Sequence, residues 1–129
     1  MCLHLQRAAR ATARRFDGAL KPFGLTNQQF SLLMSLNRPQ PARMKDVAFL
    51  LALDRTTLTA NLKVLERRGL ARSEPDPGDG RSRLLMLTEQ GGRQLAAAMP
   101  AWKETEAAIE AQLAGGDADG LRADLKALS

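Results

Sequence analysis

A cluster of basic and small polar side chains follows directly after Asp54, on a segment whose leucines have helical spacing. Its members are Arg55, Thr56, Thr57, Thr59, Asn61 and Lys63. In the major groove, arginine bonds guanine and asparagine bonds adenine through paired hydrogen bonds, while threonine methyl groups contact thymine. Because the N-terminal end of a recognition helix approaches the base edges, the cluster predicts a helix that reads DNA. A solvated amphipathic helix with capping threonines is the alternative interpretation.

A second basic group follows residues 75–80, a stretch dense in turn-forming residues. Arg81 and Arg83 come directly after it, and an arginine at a hairpin tip can enter a minor groove of negative potential. Asp79 is placed to brace Arg81 through an ion pair. A polar hairpin loop is the alternative, but a recognition helix and a basic hairpin together favour a winged DNA-binding module.

The spacing of apolar residues predicts the elements that would position both groups. A first helix is expected over residues 1–21, and a second from Thr26 to about Asn37, begun by a capping box with Gln29. Two short helices with a brief connection follow, which is typical of a helix-turn-helix; Asp54 is expected to cap the second of them. Their apolar stripes are Met44, Val47, Ala48 and Leu51, then Leu58, Leu62 and Leu65.

The rest of the chain predicts a hairpin and two more helices. Strands are expected over residues 71–74 and 83–87, and a long helix from Thr88 to about Leu113, kinked or broken at Pro100. A short final helix carries an apolar stripe, formed by Leu121, Leu125 and Leu128. The predicted fold is therefore mainly α with a small β-hairpin: a winged helix-turn-helix lobe plus an α-helical dimerisation region.

Four fragments of the sequence resemble the MarR family of bacterial transcriptional regulators. They are Leu53–Thr59 (LDRTTLT), Leu65–Leu70 (LERRGL), Asp79–Arg81 (DGR) and Leu87–Gly91 (LTEQG). The resemblance extends over essentially the whole chain and implies a single domain, residues 1–129. Within it, residues 25–88 would form the winged lobe, and residues 1–21 and 89–129 the dimerisation region. Ala60 is a departure, because many relatives have arginine there.

The resemblance also implies partners: a second copy of the chain, a palindromic double-stranded operator and a small-molecule effector. Charge agrees with a phosphate-binding pole, since the net charge is +9 over residues 1–72 and −4 over residues 73–129. We expect no cofactor, since one Cys and one His cannot form a Cys/His zinc cluster within the chain. The lack of signal-peptide, membrane-spanning and catalytic motifs predicts a cytoplasmic protein that is not an enzyme.

Two features of the sequence suggest a signal. Phe16, Phe30, Met34 and Trp102, with His4 nearby, could line an effector pocket, although packing in the core or in a dimer interface is the plainer interpretation. Cys2 corresponds in position to the reactive cysteine of peroxide-sensing relatives, but the chain has no tyrosine, the residue with which those sensors hold the thiolate.

The function predicted from these observations is a homodimeric transcriptional regulator, in the form of a repressor relieved by a small lipophilic or phenolic ligand. One alternative is a thiol-responsive regulator that uses Cys2. The other is a winged-helix module that binds protein and not DNA, for which Ala60 and the acidic residues Glu74, Asp76 and Asp79 are the support.

Overall fold

The computed structural model describes all 129 residues and consists of six α-helices and a three-stranded antiparallel sheet. A short 3-10 turn, Lys21–Phe23, follows the first helix. The elements are, in order, α1 (Cys2–Leu20), α2 (Asn27–Leu36), β1 (Ala42–Arg43), α3 (Met44–Leu50), α4 (Arg55–Arg67), β2 (Ala71–Asp76), β3 (Asp79–Leu87), α5 (Glu89–Glu110) and α6 (Ala118–Leu128). None of these helices combines the length and the apolar character that crossing a membrane requires.

The helix boundaries follow from local capping. Thr26 and Gln29 form the predicted capping box: each side-chain oxygen accepts a hydrogen bond of 3.1 Å from the backbone N–H of the other residue. Asp54 caps α4, and Thr88 caps α5, as their positions before apolar stripes predicted. Short polar side chains thus fix where three of the helices begin, because they satisfy N–H groups that the helix itself leaves free.

The sheet is larger than the predicted hairpin. β1 pairs with β3, with Ala42 opposite Leu85, and the strand order is β1-β3-β2. The hairpin strands also continue past the predicted ends, so that the turn between them is only Pro77–Gly78. Pro75 is tolerated because β2 is an edge strand, where a missing N–H breaks no central ladder. A strand of two residues has no alternation to detect, which is why the sequence did not show β1.

The break expected at Pro100 is absent, and α5 continues through it to Glu110. A proline within a helix removes one hydrogen bond, the one that its N–H would donate to the carbonyl four residues earlier. Residues 96–98 are alanines, which have the highest helix propensity, so this segment favours continuation of the helix.

The junction between the winged lobe and α5 is a close backbone contact. Thr88 Oγ1 donates a 2.6 Å hydrogen bond to the Gly69 carbonyl and accepts a 3.0 Å bond from the Gly91 N–H. A Cβ atom on Gly91 would lie 2.0 Å from the Leu70 carbonyl oxygen, and Gly69 has a φ of +73°, which favours glycine. The LERRGL and LTEQG fragments therefore meet in space and set how α5 leaves the lobe.

A single core connects the two parts of the molecule. The predicted stripe Leu58, Leu62 and Leu65 is buried, and the same cluster includes Leu20 of α1 and Leu95 of α5. The winged lobe is therefore packed directly against α1 and α5.

Candidate nucleic-acid interface

The first turn of α4 is organised by Asp54. Its carboxylate accepts a 2.7 Å hydrogen bond from the Thr57 N–H and a 3.0 Å bond from the Thr57 hydroxyl. These two bonds hold the pKa of Asp54 below its ordinary value, because they stabilise the ionised form. Thr57, predicted to contact DNA, has both its N–H and its hydroxyl hydrogen engaged in this cap. It positions the helix start, and its N–H is not free to hold a phosphate.

The exposed face of α4 carries the other predicted base-reading residues. Arg55, Thr56 and Lys63 are exposed, and Thr59 is half-buried. Ala60 lies on the same exposed face and contributes only a methyl group. These five residues thus offer solvent two cations, two hydroxyl groups and one small apolar group, and Arg67 adds a third exposed cation in the last turn of α4.

Asn61 does not belong to this face. Its side-chain nitrogen is buried and has no hydrogen-bond partner. The residue is adjacent to Leu62 and lies one turn from Leu58 and Leu65, all three of which are buried. The predicted contact of the Asn61 amide N–H with adenine is therefore wrong for this conformation, since helical phase turns that nitrogen towards the core.

The tip of the wing is held to the start of α4. Arg55 Nη2 donates a 3.3 Å hydrogen bond to the Arg81 carbonyl, and Asp79 accepts a 3.1 Å bond from the Arg81 N–H. Asp79 therefore braces the backbone of Arg81, and not its guanidinium as the predicted ion pair required. Both arginine side chains remain exposed.

A cleft of about 330 Å³ lies between α3, the start of α4 and the wing. Three cations line it, Lys45, Arg55 and Arg81, together with the carboxylate of Asp79. Lys45 was not predicted as a site residue. The available signal was its place beside Met44, on the solvent side of the short helix that precedes α4.

Asp76 is a second residue that the sequence analysis did not assign to the site. Its side chain is about 10% exposed, accepts a 2.9 Å bond from the Gly78 N–H, and lies 3.8 Å from Nε of Arg43 on β1. Asp76 thus closes the wing turn and ties it to β1, and it does not contribute to an acidic outer surface.

Arg83 lies on β3 below the wing tip and is already hydrogen-bonded. Its Nε and Nη2 donate to Ser73 Oγ at 3.2 and 2.9 Å, and Ser73 Oγ donates to Glu66 Oε1 at 2.6 Å. Arg83 was predicted to contact DNA. In this structure its guanidinium is hydrogen-bonded within the wing, although its side chain is accessible to solvent.

The aromatic residues predicted to form a pocket do come together. Trp102 stacks on Phe16 at a centroid distance of 5.9 Å and on Phe30 at 5.7 Å. A cavity of about 290 Å³ is lined by Phe30, Met34 and Trp102 with four neighbours, Ser31, Ser35, Leu50 and Leu51. Phe16 is buried beneath it and His4 is exposed elsewhere on α1. Cys2 is a free, exposed cysteine in the first turn of α1.

This arrangement of two tandem helices, a three-stranded wing and flanking long helices defines a winged helix-turn-helix protein of the transcriptional-regulator class. The MarR family model matches residues 23–82. The chain belongs to the MarR family. Known members are regulators of transcription and not enzymes, in agreement with the expectation from sequence.

Solved structures and curated sequences agree on this class. The M. tuberculosis regulator MosR, solved in complex with DNA, is 36% identical over 98% of this chain and 91% of its own, with a TM-score of 0.88. The repressor CouR, of Rhodococcus jostii, bound to a 23-mer DNA duplex is 31% identical over 97% of this chain and 89% of its own, with a TM-score of 0.83.

The repressor NicR of Pseudomonas putida is 35% identical over 75% of this chain and 62% of its own length. Across four curated relatives, the chain spans between 43% and 68% of the relative's length.

Proposed function

We propose that this chain is a sequence-specific DNA-binding repressor that acts as a homodimer and is released from its operator by a small lipophilic or phenolic ligand. The observation that carries the proposal is the convergence of Lys45, Arg55 and Arg81 beside the exposed face of α4. Cations at this point can contact phosphates and the minor groove while α4 lies in the major groove. The relatives MosR and CouR, both solved with DNA, support the binding of DNA.

The homodimer is supported by apolar surface that the single chain leaves uncovered. Leu121, Leu125 and Leu128 of α6 are between 41% and 63% exposed, as are Leu3 and Leu5 of α1 at 62% and 37%. A second copy would cover these faces and would place two α4 helices on successive half-sites, about 34–36 Å apart on a palindromic operator.

Binding to DNA is tested by fluorescence anisotropy with duplexes from the region upstream of the chain's own gene, against scrambled duplexes. We expect affinity that prefers the upstream sequence and falls as salt rises from about 50 to 200 mM. Arg81→Ala should weaken binding about fivefold or more and lower the salt slope by about one.

Arg93→Ala is the matched control, because Arg93 lies on α5 next to Glu89 and away from the cleft. Equal losses of DNA affinity in Arg81→Ala and Arg93→Ala would show a general effect of charge and no localised DNA-binding site. Absence of sequence preference and of salt dependence in the unaltered protein would overturn the proposal, and retained binding of a protein partner would then favour the protein-interaction module.

The ligand part of the proposal is supported by the aromatic cavity, because an apolar cavity with two hydroxyl groups, Ser31 and Ser35, suits a small phenol. Trp102 is the only tryptophan, so its fluorescence reports binding directly. We expect 4-hydroxybenzoate to change that fluorescence with saturation and to release the duplex. Met34→Glu, which places a charge in the cavity, should abolish both effects, whereas unaltered titrations in this variant would exclude the cavity as the site.

A further inference from the structure

The wing strands are connected to α4 by a chain of three side chains, Glu66, Ser73 and Arg83, which we call the wing tether. Glu66 lies in the last turn of α4, Ser73 on β2 and Arg83 on β3. The Ser73 hydroxyl donates its single hydrogen to Glu66 and accepts from the Arg83 guanidinium through two N–H groups. This uses the hydroxyl in the way its chemistry allows, one bond given and others received.

The strand register explains why Arg83 is directed to this position. Ser73 faces Leu85 across the β2–β3 pair, and Arg83 is two residues from Leu85 on the same strand. Residues two apart share a face, so Arg83 projects on the face that buries Leu85, where α4 packs. At the tip of the wing, the Arg81 carbonyl accepts the hydrogen bond from Arg55.

We propose that Arg83 is a positioning residue: it acts through Ser73 and Glu66 to hold the wing at a fixed angle to the recognition helix, and it is not itself a DNA contact. The inference rests on the proposed DNA binding, because its consequence is the simultaneous fit of Arg81 and α4 to the duplex. The wing is then joined to α4 at two points, near the base by the tether and at the tip by Arg55. A wing free to swing would have to be ordered on binding, which costs affinity.

The tether makes a prediction that separates it from a phosphate contact. Arg83→Lys keeps the charge but loses the paired N–H donors, and Ser73→Ala removes no charge at all. We expect both variants to weaken DNA binding about threefold to tenfold with an unchanged salt slope. Ser73→Thr keeps the hydroxyl and should retain the affinity of the unaltered protein.

Arg72→Gln is the matched charge control. Its side chain is exposed on β2 beside Glu74, so it removes one wing cation without touching the tether. Hydrogen exchange of the β2 and β3 amides in the free protein gives a readout that needs no DNA. We expect it to be faster in Ser73→Ala and Arg83→Lys, and unchanged in α5 and in Arg72→Gln.

The outcomes are distinct. Full affinity in Arg83→Lys and Ser73→Ala, with a loss in affinity and in salt slope only in Arg83→Gln, would make Arg83 a phosphate contact and overturn the proposal. Unchanged wing exchange in all variants would also overturn it. A third outcome is faster wing exchange in the tether variants together with no DNA binding by the unaltered protein. This would support the tether and refute the proposed function.

Discussion

At the scale of single residues, the start of α4 depends on one carboxylate. The pKa of Asp54 lies below its ordinary value, and the main cause is its two hydrogen bonds from Thr57. The N-terminal cap of α4, the helix that carries the proposed base contacts, is therefore stronger when Asp54 is ionised. The cap thereby fixes the backbone position of the adjacent residue, Arg55.

The lowered pKa of Asp54 predicts a pH dependence of stability. Because the native pKa is below the ordinary value of 3.8, the ionised cap stabilises the folded state above about pH 4 and loses this effect as pH falls through the native pKa. Asp54→Ala should lower the melting temperature at neutral pH, and the gap to the unaltered protein should narrow as the pH falls below 3.8 and through the native pKa. Thermal unfolding followed by circular dichroism measures both.

Asp54→Asn is the control for this experiment, since asparagine caps helices about as well as aspartate but does not titrate. Its melting temperature should remain near that of the unaltered protein at neutral pH. A gap between the alanine variant and the unaltered protein that stays constant at every acidic pH at which both still fold would contradict the role of ionisation.

At the scale of elements, the direction of α5 is decided by glycine. Gly91 lies in the first turn of α5, where the Leu70 carbonyl approaches so closely that no side chain fits. The contact joins the end of α4, the beginning of β2 and the start of the long helix. The contact therefore fixes how these three elements are placed relative to one another.

Substitution of Gly91 tests this contact, and Gly92 provides a matched control one residue later. Gly91→Ala places a Cβ about 2.0 Å from a backbone oxygen and should cost about 1–3 kcal/mol of unfolding free energy, or more. Gly92→Ala meets only Leu87 at 3.8 Å and should stabilise α5 by about 0.5–1 kcal/mol, because alanine is the better helix former. Urea unfolding measures both, and equal stability of the two variants would contradict the close contact.

At the scale of the whole molecule, the distribution of charge and apolar surface separates two ends. The cationic cleft lies in the lobe, while the acidic half of the chain includes α6 with its exposed leucines. Arg122 of α6 pairs with Glu106 and Glu110 of α5, which holds the two helices together within the chain. The leucine face of α6 then remains exposed, and it is the face on which the proposed second copy would pack.

The proposed dimer predicts that charge on the leucine face separates the subunits. Leu121→Glu with Leu125→Glu should convert the dimer to a monomer and weaken operator binding, because a single lobe reads only one half-site. Ala123→Glu adds a charge on the opposite side of the same helix and should leave the dimer intact. Sedimentation velocity measures the change, and an unaltered sedimentation coefficient in the double variant would refute this interface.

Local signals in the sequence determined the helices, their caps and the recognition helix, because capping and apolar periodicity depend on residues within one or two turns. Thr26, Asp54 and Thr88 act where they were expected to act. The cations Arg55 and Arg81 were also recognisable, because turn chemistry and helix phase place them at exposed ends. β1 was not, because two residues show no period. Pro100 left open whether the long helix would be kinked or broken, and α5 continues through it without a break.

Only the tertiary structure decided which polar groups are free to bind. Asn61, Asp76 and Arg83 were all assigned to solvent-facing roles, yet one amide nitrogen points to the core, one carboxylate closes a turn and one guanidinium bonds to Ser73. The packing around Asn61 and the contacts of Asp76 with Arg43 and of Arg83 with Ser73 involve residues that are distant in sequence or belong to another element, so no local pattern contains them. The composition of the proposed DNA-binding cluster was thus determined by the sequence, and its division into exposed side chains, caps and braces was determined by packing.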